Sequence, residues 1–126
     1  MLKAINLSDR PAHPAYSQGM EVQGAARLLF ISGQVGAGAD GVVPASVGEQ
    51  GKLAIANLNA VLAEAGLNNG HLVKLTIFLT EAAHLQDFYA AAFGTLPSPP
   101  PATTLLIVKA LADPALLVEI EGIAAA

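Results

Sequence analysis

Apolar and polar positions alternate most clearly in residues 73–79 and 116–124, and apolar positions recur at helical spacing in two further segments. In the first stretch Val73, Leu75, Ile77 and Leu79 share one face of a strand, and Lys74, Thr76 and Phe78 the other. In the second, Val118 and Ile120 alternate with Glu119 and Glu121, so one face is buried and the other holds two carboxylates. Ala54, Leu58, Val61, Leu62 and Ala65 predict a helix that opens at Ser46, where Ser46-Val47-Gly48-Glu49 has capping-box spacing, and stops at Gly66. Leu85, Phe88, Tyr89 and Ala92 predict a second helix, capped by Thr80, ended by Gly94 and packed by this face on a sheet. Shorter apolar runs predict an edge strand at 3–7, a hairpin of 19–23 and 28–32 around Gly24, and a strand at 102–108. A turn at Asp113-Pro114 would make the strand at 102–108 the neighbour of the last one. Between Gly94 and that pair, the four prolines of 95–101 exclude helix and carry the chain back in an extended form.

Strands alternating with two helices, with no repeat and no long linker, predict one domain over residues 1–126. Its class is α+β: two helices on one face of a mixed sheet, with a βαβ-type crossover at the long helix. The second face of that sheet is also apolar. Composition sharpens the point, because 53% of residues are hydrophobic and only 13% charged, too few polar groups to coat a small isolated globule. The chain is therefore expected to bury surface against copies of itself.

Charge and residue types exclude several function classes. Net charge is −4, and the six cations are scattered rather than grouped in a stripe, so nucleic acid is not an expected partner. The absence of cysteine removes disulfides, thiolate metal sites and cysteine nucleophiles together. No apolar run reaches the length of a signal peptide core or a membrane span, so no membrane association and a cytoplasmic setting are expected.

Few residues offer chemistry. Gly36-Ala37-Gly38-Ala39-Asp40-Gly41 matches G-x-G-x-x-G, but Val42, Val43 and Pro44 follow where a phosphate-binding helix would have to open, and a plain turn is expected. His13, His71 and His84 lack metal-ligand spacing and read as loop or surface residues; no metal is expected. Ser17 and Ser32 are not in a nucleophile elbow. Tyr16, in a proline-flanked loop, is a packing lid or a cleft residue. Glu119 and Glu121 admit two readings: a solvated strand face that resists aggregation, or a cleft in which one carboxylate orients water as a general base.

Pro14-Ala15-Tyr16-Ser17-Gln18-Gly19, Ile31-Ser32-Gly33-Gln34, Asn57, Lys74-Leu75-Thr76-Ile77-Phe78, Pro101-Ala102 and Val118-Glu119-Ile120-Glu121, taken in this order, resemble the RidA (YjgF-like, reactive-intermediate deaminase) family over essentially the whole chain. The resemblance implies a chorismate-mutase-like fold and a homotrimer whose sheets form an inner barrel, with small-molecule clefts between subunits. It also implies hydrolytic deamination of small enamines and imines without metal or organic cofactor. By motif it assigns Glu119 to positioning water, and Tyr16, Ser32 and Gly33 to the cleft.

The family's carboxylate-gripping arginine has no counterpart here. Thr103 stands in its place, Leu105 at a position that is often cysteine, and Gln86 at that of an asparagine in the second helix. A threonine cannot form the bidentate, charge-assisted clamp of a guanidinium, a loss worth roughly a hundredfold or more in efficiency. Two functions follow as expectations: a divergent deaminase whose substrate is not the usual 2-imino acid, or a non-catalytic trimeric binder of small molecules. Ribonuclease activity ranks behind both, given the acidic net charge. Arg10 and Arg27 are the cations that could stand in from elsewhere.

Overall fold

The computed structural model describes residues 1–126. Its elements run β1 (Leu2–Ile5), β2 (Gly19–Val22), β3 (Leu28–Val35), α1 (Val47–Glu64), β4 (Leu72–Leu79), α2 (Leu85–Ala92), β5 (Ala102–Ile107) and β6 (Val118–Ala125). The main sheet has the order β3-β6-β4-β5, with β4 and β5 parallel and the other pairs antiparallel. A separate antiparallel ribbon joins β1 to β2. The predicted α+β architecture, helices over one face of a mixed sheet, is the observed one.

The alternation in β4 and β6 sets which side the helices cover. Leu75, Ile77 and Leu79 of β4 and Val118, Ile120 and Ala124 of β6 are buried beneath them with Leu58, Leu62 and Phe88. Ser46 caps α1 by accepting from the Glu49 N–H at 3.2 Å, and Gly66, at φ +73°, ends it. Gly36 lies so close to α1 that a Cβ there would stand 2.4 Å from that of Gln50. The glycine-rich segment thus lets the end of β3 run against a helix side, and no helix opens from it.

Three expectations need correction. The pair 19–23 and 28–32 is not a hairpin: β2 pairs with β1 and β3 with β6, while the backbone N–H groups of Gln23 and Arg27 bond to Met1 and Ala126. Nor are β5 and β6 neighbours, since β4 lies between them and pairs with both. A short connection such as the Asx turn at Asp113, whose Oδ1 accepts from Ala115 at 2.8 Å, does not require the strands it links to touch. Finally, Thr80 does not cap α2: the helix begins at Leu85 after a 3₁₀ turn at Ala82–His84, with no side-chain cap, and the Thr80 N–H donates to the Leu117 carbonyl at 3.1 Å.

The α2 face joins the core of the sheet through Phe88 and Ala92 and leans on α1 as well. Phe88 meets Gly51, where a Cβ would stand 3.0 Å from the ring, and Ala91 meets Gly48. Between α2 and the β4-β5 side of the sheet a cavity of about 700 Å³ is left open. On the opposite face Leu28 and Phe30 are 60% and 70% exposed, with Leu106 beyond them. No helix is long and apolar enough to cross a membrane.

Candidate functional site

The cavity owes its outer wall to a tie between distant segments. Ser17, buried, donates its hydroxyl to the Pro100 carbonyl at 2.6 Å and its N–H to the Pro101 carbonyl at 3.2 Å, and bridges to Ala102. This holds the loop before Ser17 against the start of β5. Tyr16 and Thr103 consequently line one cavity, together with His13 from the same loop and Tyr89 from α2. His13 and Tyr16 stack with centroids 4.4 Å apart and an angle of 18° between their planes. Burial, and to a smaller extent the neighbouring Tyr16, raises the Tyr89 phenol above its ordinary value, so it stays a neutral hydroxyl at physiological pH.

No Lys, Arg, Asp or Glu lines this cavity. Thr103 donates its hydroxyl proton to the Pro101 carbonyl at 3.1 Å, which leaves the cavity an acceptor at that position. Neither arginine of the same chain lines the cavity. Arg10 forks onto Asp9, with Nε–Oδ1 at 2.8 Å, and holds that carboxyl below its usual range. Arg27 donates to the Ala65 carbonyl at the end of α1, at 2.8 Å.

Glu119 belongs to other surroundings. It pairs in register with Phe78 and Val35, whereas Thr103 pairs with the buried Leu75, so the two side chains leave the sheet on opposite faces. Between Ile31 and Gln34 the register of β3 slips, and the resulting bulge brings Gly33 under Glu119. A Cβ on Gly33 would stand 2.6 Å from the Glu119 carboxyl carbon. Ser32 is exposed beside it.

Of the residues singled out by motif, Tyr16 and Thr103 therefore meet on the helix side, and Ser32, Gly33 and Glu119 on the open face. Leu105 packs toward the core without lining the cavity, and Gln86 is exposed on α2. Asn57 ties α1 to the end of β3 through the carbonyls of Val35 and Ala37, at 2.9 and 3.0 Å. Sequence reasoning passed over His13, read as a loop residue, and gave Tyr89 only a packing face. Their shared signal is aromatic side chains flanking segments that the chain must bring together, which one strand of text does not display.

Comparison with known proteins agrees with this architecture. A family model described as endoribonuclease L-PSP matches residues 7–126. The mitochondrial protein mmf2 of Schizosaccharomyces pombe is 35% identical over 123 residues, 96% of this chain and 95% of that one. Among solved structures, YyfB of Yersinia pestis, described as a Rid-family protein of unknown function, is 32% identical with a TM-score of 0.86, covering 99% of this chain and 98% of that one. TdcF of Escherichia coli, solved with bound serine, is 27% identical with a TM-score of 0.72 over 98% of each chain. Its name assigns it provisionally to reactive intermediate deamination.

Proposed function

We propose, for a chain that belongs to the endoribonuclease L-PSP family, the group of the RidA and YjgF proteins, that it hydrolyses a small enamine or imine in clefts between copies of itself. The observation that supports this reading best is the division of the site residues between two faces of one sheet. A cavity with Tyr16 and Thr103 and a carboxylate over Gly33 become one site only when the open face of one copy meets the cavity side of another. The exposed Leu28, Phe30 and Leu106 give that open face an apolar surface to bury. In the family the assembly is a homotrimer, and we extend that assembly, and a cytoplasmic setting, to this chain.

In this reaction Glu119 accepts a proton from water as the hydroxyl adds to the imine carbon, and the imine nitrogen takes up a proton. Glu119 then passes its proton to the amine of the carbinolamine, which leaves as ammonia while the hydroxyl proton goes to solvent and a carbonyl forms, so that imine and water are converted to ketone or aldehyde and ammonia. An enamine first takes a proton at carbon and releases one from nitrogen to become the imine. Thr103 in the place of an arginine, with no other cation lining the cavity, argues for a substrate without a free carboxylate. The same observation favours a second reading, a trimer that binds small molecules without turning them over.

Ammonia release from freshly generated imines separates the two readings. Glu119→Ala is expected to slow hydrolysis by about 100-fold or more, and equal rates for variant and parent would remove the carboxylate from the mechanism. Thr103→Arg is expected to confer activity on 2-imino acids; no gain would favour the binder.

A further inference from the structure

The polar groups of the cavity specify more than the lack of a positive charge. Thr103 spends its only hydroxyl proton on the Pro101 carbonyl, so a ligand beside it meets oxygen lone pairs. His13, at the exposed rim, has its Nδ1 engaged as acceptor of the Ala15 N–H at 3.0 Å. The proton of the neutral ring is thereby assigned to Nε2, and His13 can offer one N–H. Its ring stacks on that of Tyr16, which fixes the imidazole at the rim. The remaining wall is largely hydrocarbon, with Leu75, Ile77 and Phe88 among its residues.

An anion placed here would lose its water, find no cation, and face the lone pairs of Thr103. A planar uncharged group that both donates and accepts fits the polar groups, its N–H to Thr103 Oγ1 and its acceptor to His13 Nε2–H, while its faces lie against the hydrocarbon wall. About 700 Å³ is ample for a single substituted ring. We infer that the cavity binds an uncharged, planar aromatic or conjugated molecule carrying an N–H, of the amide or imine class, and selects against carboxylates. This ligand class rests on the reading that the cavity is part of the functional site.

Benzamide and benzoate differ in little besides the charge and the N–H, and calorimetric titration of the intact protein with each is the test. Benzamide is expected to bind at least about tenfold more tightly than benzoate. Thr103→Val, which keeps the shape and removes the acceptor, should weaken benzamide about tenfold, and His13→Ala, a change in an exposed loop, should also weaken it. Thr103→Arg should reverse the preference. Equal or tighter binding of benzoate by the parent protein would overturn the inference, as would failure of benzamide to bind at millimolar concentration or indifference of its binding to Thr103→Val in a variant with the parent's circular dichroism. Selective benzamide binding without ammonia release from imines would leave the ligand class standing and remove the proposed hydrolysis. Glu119-dependent hydrolysis with benzoate preferred would do the reverse.

Discussion

The Glu119 carboxyl rests on the one position of β3 that has no side chain. A methyl group on Gly33 would occupy the space of a flexible carboxylate rather than of backbone, so Glu119 can swing away at little cost to the fold. Gly33→Ala is accordingly expected to move the melting temperature by only a few degrees. It should nevertheless lower ammonia release by about tenfold or more, because a general base displaced from its water loses its effect; retention of full rate would show that the position of this carboxylate is immaterial. The family resemblance singled out Tyr16, Thr103 and Glu119 in the sequence as candidates. It did not disclose that Thr103 points its proton at Pro101, nor that His13 stacks on Tyr16. Both depend on Ser17 reaching the proline segment, a contact between residues far apart in the chain.

Elements were legible where periodicity ran long. The core faces of α1 and β4 follow from apolar spacing alone, and Ser46 and Gly66 mark the ends of α1 as capping chemistry requires. The neighbours of each strand were not legible, since alternation tells which face is buried but not which edge is paired, and β4 came to lie between β5 and β6. Gln50 was equally hidden, a polar residue in a helix stripe whose side chain is fully buried. Its amide donates to the carbonyls of Pro44 and Ala115 at 2.8 and 2.9 Å, and its oxygen accepts from the Leu117 N–H at 2.8 Å, which fixes α1 to the turn that leads into β6. Gln50→Leu strands those three backbone groups and is expected to cost about 3 kcal/mol in chemical denaturation. A loss below about 0.5 kcal/mol would mean that water replaces the side chain without penalty.

For the whole molecule, the main consequence lies in the sheet as a partition. One side carries the uncharged cavity, the other the carboxylate, and no bending of side chains carries either through the backbone between them. An apolar composition and an open face lined by Leu28 and Phe30 are what a chain needs if the missing half is to come from its twin. Defects on the two sides should then be able to complement one another. Thr103→Trp, which plugs the cavity, and Glu119→Ala would each be inert alone, yet denatured together and refolded as a mixture they should recover turnover at roughly one site in four, as random pairing dictates. A mixture as silent as its ingredients would mean that each polypeptide works, or fails, by itself.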